Sequence, residues 1–119
     1  MAEEKGPEKR QDQGALRLRR FIEVVVEDKL SFTLFRAACA DLSGTGMRVI
    51  CDQYLPKGTR YTFTLKRAPF LVVKGEVRWI RAFERETFQV GVLFVDMTQD
   101  DKARLQSFLE IERQRVPTS

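Results

Sequence analysis

Two short stretches of this chain carry side chains of the kinds that bind anions and nucleobases. Arg17-Leu18-Arg19-Arg20 sets three guanidinium groups within four residues, and Asp41-Leu42-Ser43-Gly44-Thr45-Gly46 sets a carboxylate, a serine hydroxyl and two glycines within six. A guanidinium is a planar fork of donors that fits phosphate oxygens or the O6/N7 edge of guanine. A carboxylate accepts from the N1–H and N2 amino donors on guanine's other edge, and a serine hydroxyl can supplement it. Glycine at 46 can take positive φ and leaves space for a ligand beside the backbone. Each residue also has a plainer use. Asp41 can pair with a nearby arginine, Ser43 can close a local turn, and Gly44 and Gly46 can serve a hairpin turn alone. Spacing by itself leaves both readings open and leans towards the plainer one.

Whole classes of chemistry are excluded by composition. The chain has no histidine, so Ser-His-Asp and Cys-His catalysis are impossible within it. The scattered acids supply no pair of the kind a glycosidase uses, and the chain is read as non-enzymatic, with no cofactor and no metal. A zinc site built on Cys39 and Cys51 would need carboxylates to complete its shell, so both are expected to be core-packing thiols. At 119 residues, 43% hydrophobic and 32% charged, the chain is one ordinary domain of soluble composition. No apolar run nears the ~20 residues of a membrane helix, and the first residues lack the apolar centre of a signal peptide. A cytoplasmic protein without membrane insertion is expected. The formal charge is +4; the first fourteen residues hold four acids and three of the bases, so the remainder carries 18 bases against 13 acids, or +5. That excess suits an anionic partner.

The elements that must position the two stretches follow from periodicity. Residues 1–14 are polar, contain Gly6, Pro7 and Gly14, and read as a disordered tail. The folded unit is expected over 15–116. From Phe21 the chain turns to short β-type runs: Ile22, Val24 and Val26 alternate with Glu23 and Val25, and Glu27-Asp28-Lys29 closes the run. Further runs span about 31–40, 47–51, 61–65, 70–82 and 87–96, with turn signals at Gly44-Thr45-Gly46 and Leu55-Pro56-Lys57-Gly58. Six strands with short loops make an antiparallel sheet that must close or be covered, because open edges aggregate. The period then changes. Thr98-Gln99-Asp100-Asp101 reads as a capping box, and Leu105, Phe108 and Leu109, extended by Glu112, form an apolar stripe on a helix over 98–115. That stripe would cover one opening of the barrel. Trp79, Phe21, Phe63, Phe88 and Phe94 are expected in the interior, and Phe83, in a charged loop, is expected to be the most exposed aromatic. If the first two strands are antiparallel neighbours, Arg17, Arg19 and Arg20 enter the barrel beside the segment that leaves the second strand.

From about Arg17 to Leu109 the chain resembles the PilZ family. The matching features are the D/N-x-S-x-x-G motif at Asp41–Gly46, Gly-Glu-Val-Arg-Trp-Ile at 75–80, Val-Gly-Val-Leu-Phe at 90–94, and the terminal helix after Asp96. The resemblance implies an all-β fold, a six-stranded antiparallel PilZ-like β-barrel with a C-terminal α-helix. It implies a bacterial signalling protein that binds the second messenger cyclic di-GMP through Arg17, Arg19, Arg20, Asp41, Ser43 and Gly46. Such a protein passes the signal to a protein partner, in motility or biofilm regulation, as a monomer or homodimer. The family's other motif, R-x-x-x-R, is incomplete: with Arg19 at its first position, Glu23 stands at the second. Arg17 or Arg20 could fill the place, or the domain could be a degenerate one that binds only proteins. A single-strand nucleic-acid binder would need exposed aromatics interleaved with basic residues, which the strands do not offer; no nucleic-acid partner is expected.

Overall fold

A computed structural model describes residues 21–115 of the chain. Its elements are β1 (Ile22–Asp28), β2 (Thr33–Leu42), β3 (Gly46–Cys51), β4 (Arg60–Leu65), β5 (Leu71–Ala82), β6 (Phe88–Phe94) and α1 (Gln99–Gln114). All neighbours pair antiparallel and the sheet closes in the order β1-β2-β3-β6-β5-β4. Closure leaves no strand edge open, which is how a short, hydrophobic sheet avoids pairing with other chains. The fold is the expected six-stranded barrel with a C-terminal helix.

Alternation fills the interior. Ile22, Val24 and Val26 of β1 face Phe63 and Leu65 of β4, and Val73 and Val77 of β5 face Val90, Val92 and Phe94 of β6 in one apolar cluster. Gly75 interrupts the inward row of β5 for a steric reason. A Cβ there would lie 2.3 Å from Val92 Cγ1 and 3.0 Å from Phe63 Cε1, so the missing side chain is the space those groups occupy. Phe63 is fully buried and Phe94 nearly so, while Phe88 is half-buried at the barrel's end. Phe21 departs from expectation. It precedes the β1 ladder and is 73% exposed. Phe83 is exposed but is not the extreme case: Phe32, at the β1–β2 turn with φ 58°, is 89% exposed and Leu30 beside it 94%.

The helix is set at both ends by its own side chains. Asp101 N–H donates to Thr98 Oγ1, and Thr98 N–H donates to Asp101 Oδ2, each at 3.0 Å. This is the expected capping box, satisfying donors the first turn leaves without partners. Leu105, Phe108 and Leu109 join the barrel core. Glu112, 1% exposed, continues the same stripe. Its Oε2 lies 2.6 Å from Arg115 Nη1 and 3.6 Å from Arg67 Nε, and Arg115 Nη2 donates to the Ala68 carbonyl at 2.8 Å. A buried carboxylate is tolerable only when paired. Here the pairing ties the last helical turn to the β4–β5 connection.

Both cysteines are buried free thiols, as expected of core-packing residues. Cys39 Sγ donates to the Asp41 carbonyl at 3.5 Å and Cys51 Sγ to the Gln53 carbonyl at 3.2 Å. Burial pushes the Cys39 thiol up to about 11 and raises Cys51 as well. The thiolate is the reactive form, so the native protein at pH 8 should react with Ellman's reagent far more slowly than the denatured chain, which should yield both thiols. The sign of the pH effect follows. An unfolded Cys39 titrates near its ordinary value of 9.0 and loses its proton before the folded one does. Its contribution is therefore complete below pH 9 and declines as pH rises towards 11.

Candidate functional site

Asp41 owes its position to an irregularity in β2. Cys39 pairs with Val49 and Leu42 with Met47, all four in the core. Strict alternation would turn Asp41 to the same side as Cys39. Instead the register shifts between Cys39 and Asp41, so that Asp41 pairs with Arg48. The extra residue, Ala40, makes a β-bulge, and a bulge re-aims the side chains beyond it. Asp41 therefore turns to the outer face while Leu42 returns to the interior.

A second bulge does the same across the sheet. In β5, Val77 pairs with Val92, and the register shifts so that Trp79 pairs with Gly91 and Ile80 with Val90. Arg78 is the extra residue. Trp79 is thrown out of the core onto Gly91, where a Cβ would lie 2.1 Å from its Nε1. This corrects the expectation that Trp79 fills the interior. The Arg81 guanidinium carbon sits 4.5 Å from the Trp79 ring centroid, within cation–π range.

The two bulges align one row across four strands: Asp41 on β2, Arg48 on β3, Gly91 on β6 and Trp79 on β5. The row floors a cleft of 360 Å³ whose walls include Ser43, Gly46 and Arg78. Arg48 Nε lies 3.8 Å from Asp41 Oδ2. Asp41 and Ser43 are each 7% exposed, so their polar groups are sheltered by the surrounding barrel. The charges lining the cleft among the described residues are one carboxylate and two guanidiniums, an excess of +1.

Of the sequence-derived site residues, Asp41, Ser43 and Gly46 are brought together on this cleft. Ser43 also closes its own turn: its N–H donates to the Gly46 carbonyl at 2.9 Å and its Oγ to the same oxygen at 3.3 Å. Gly46 does not adopt positive φ, which among the described glycines is found at Gly58 alone. Its reason is contact. A Cβ at 46 would lie 2.2 Å from the Val92 carbonyl oxygen, so only glycine lets β3 begin against β6. Arg17, Arg19 and Arg20 lie outside the described residues. The antiparallel β1–β2 pairing that would bring them near is present, with Ile22 opposite Cys39. Glu23 faces outward and its Oε2 lies 3.4 Å from Arg36 Nε; it does not line the cleft.

Arg48, Arg78 and Trp79 line the cleft but are not among the site residues expected from the sequence. A signal for them exists in the parity of the apolar positions. Leu71, Val73 and Val77 are odd, whereas Ile80 is even; Cys39 is odd and Leu42 even. A strand can bury both parities on one face only through an inserted residue, and that residue marks the bulge.

A model of the PilZ domain family matches residues 8–110. The chain belongs to the PilZ family. Among solved structures, the Bacillus subtilis inhibitor of motility MotI/DgrA is similar with a TM-score of 0.67 and 14% identity, over 88% of this chain and 53% of that one. YcgR from Escherichia coli in complex with c-di-GMP has a TM-score of 0.66 and 16% identity, over 82% of this chain and 45% of that one. MrkH of Klebsiella pneumoniae has a TM-score of 0.66 and 17% identity, over 90% and 54%. This PilZ chain thus spans about half the length of these proteins. At these identities the likeness concerns the fold. No curated protein sequence matches significantly. No catalytic family is indicated, and no helix among the described residues is long and apolar enough to cross a membrane.

Proposed function

We propose that this PilZ domain is a receptor for cyclic di-GMP that relays binding to a protein partner in bacterial motility or biofilm control. The supporting observation is the convergence of Asp41, Ser43 and Gly46 on a sheltered, positively biased cleft, beside the end of the barrel where β1 begins. Asp41 and Ser43 accept from the N1–H and N2 edge of a guanine. Arg17, Arg19 and Arg20 take phosphate oxygens or the O6/N7 edge. The structures of YcgR with c-di-GMP share this barrel.

Isothermal titration with cyclic di-GMP tests the assignment. The native chain should release heat at micromolar ligand. Asp41→Ala should weaken binding by about 10- to 100-fold, the equivalent of one charge-assisted hydrogen bond of ~1.5–3 kcal/mol, with its far-UV spectrum unchanged. Absence of heat at high micromolar ligand would overturn the receptor reading. A second reading, a PilZ domain that binds only proteins, is favoured by one observation: the second R-x-x-x-R position holds Glu23, already paired with Arg36. On that reading Asp41→Ala leaves activity in the cell unaltered.

A further inference from the structure

The cleft contains two cations outside the D-x-S-x-x-G and R-x-x-x-R motifs, while the R-x-x-x-R position at 23 supplies a carboxylate. We infer that Arg48 and Arg78 carry the phosphate recognition in this chain that an arginine at position 23 would otherwise provide. The inference rests on the receptor reading above and concerns which residues hold the ligand's phosphodiester.

Glu23 cannot serve that role and does not obstruct it. Its carboxylate is engaged with Arg36 on the neighbouring strand, away from the cleft lining. Arg48 stands in the middle of the floor, between Asp41 and Gly91 in the cross-strand row. Its Nε lies 3.8 Å from Asp41 Oδ2, and its side chain remains 32% exposed on the cleft. The adjoining position on β6 is Gly91, and the Trp79 indole occupies the space above it, so Arg48 and Trp79 flank Gly91 on the cleft floor. Arg78 is the inserted residue of the β5 bulge, between the Val77–Val92 and Trp79–Gly91 pairs, and has no cross-strand partner of its own in the register. Its Nη1 lies 3.7 Å from Glu76 Oε2, but Glu76 is held more closely by Arg60, whose Nε is 3.0 Å from Oε1. The neutralising charge near Arg78 is therefore shared, and the guanidinium, more than half exposed, is available to an incoming anion.

Both arginines project from strands of a closed barrel, so neither needs a segment to order before it acts. A guanidinium suits a phosphodiester better than an ammonium does, because its fork can give two parallel hydrogen bonds to two oxygens. The pair stands on the same cleft as Asp41 and Ser43. One ligand can then present a guanine edge to the acceptors and a phosphate to the guanidiniums without leaving it.

The test is a titration of cyclic di-GMP into the native chain and into Arg48→Gln, Arg78→Gln, Glu23→Arg and Arg104→Gln. Loss of either cleft arginine should weaken binding by about 10- to 100-fold. Glu23→Arg should stay within about threefold of the native chain. Arg104→Gln, at a side chain that pairs with Asp100 and does not line the cleft, controls for the loss of one positive charge and should stay within the same range. Arg48→Lys should recover only part of the affinity. If Arg48→Gln melts at a lower temperature, Arg78→Gln decides, since that side chain is exposed and its removal leaves the core intact. Native-like binding by both glutamine variants would overturn the inference while the receptor reading stands, as would an equal loss in Arg104→Gln. A native chain that binds no ligand ends both.

Discussion

Gly46→Ala should lower the melting temperature by about 10–20 °C, the largest effect expected of any single-methyl change in this barrel. The added carbon would lie 2.2 Å from the Val92 carbonyl oxygen and 3.3 Å from its carbon. Both are backbone, so no rotamer change can relieve the overlap. The first residue of β3 must instead withdraw from β6, where Gly46 opposes Leu93, and the neighbouring bond from Phe94 N–H to the Thr45 carbonyl goes with it. Overpacking that moves backbone costs about 3 kcal/mol or more, and each kcal/mol shifts the melting point of a domain this size by roughly 4–8 °C. Circular dichroism melts would settle the matter. A variant melting within about 3 °C of the native chain would show that the glycine is not required by the barrel. The point bears on function, because Gly46 is the last residue of the D-x-S-x-x-G motif. Its first duty is to let the strands meet, and the placement of Asp41 and Ser43 follows from that meeting.

How much of this could be read from residues alone depended on whether a pattern stayed in phase. β1 and β4 alternate without a break, and a period of two is enough to give their inward faces, Ile22-Val24-Val26 and Tyr61-Phe63-Leu65. The helix likewise announced itself through Thr98, Asp101 and the Leu105-Phe108-Leu109 stripe. The closed topology was implied by the count of short strands and stated by the family resemblance. What alternation could not convey was the outward face at the bulges. A strict period of two puts Trp79 in line with Val77, hence inside, and a large indole in a small barrel makes that placement reasonable. The inserted Arg78 reverses it. The same event at Ala40 is what frees Asp41 from the core, so the reading of Asp41 as a site residue came from the motif rather than from periodicity. Gly46 stands on the cleft, but the positive φ open to it is not used; close contact with β6 is what requires glycine there. A close approach between strands distant in sequence leaves no local trace. The assembled site is therefore a tertiary product. Its motif residues were visible because they are contiguous; Arg48, one strand pairing from Asp41, lies just past the motif, and Arg78 is three strand pairings away.

Val92 links the two glycines and allows a sharper experiment. Its carbonyl faces Gly46, whereas its Cγ1 faces Gly75, on the opposite side of the same residue. Gly75→Ala should destabilise the barrel by about 1–3 kcal/mol, because the new carbon meets Cγ1 at 2.3 Å and the Phe63 ring at 3.0 Å. Val92→Ala alone should cost about 2 kcal/mol for the methyls it removes from a buried site. Combined, the two should not add. Removing Cγ1 vacates the space that the Gly75→Ala carbon needs, so the double variant should be at least about 1 kcal/mol more stable than the sum predicts, a coupling of the size expected for residues in contact. The same Val92→Ala change should give Gly46→Ala no relief, since alanine keeps the carbonyl. Urea unfolding of the native chain, the three single variants and the two doubles measures all of this in one series. Strict additivity for the 75/92 pair would show that Phe63, not Val92, is what excludes a side chain at 75. Relief of Gly46→Ala by Val92→Ala would show that β6 can yield at this point, and that the cleft floor is less firmly held than the strand pairing implies.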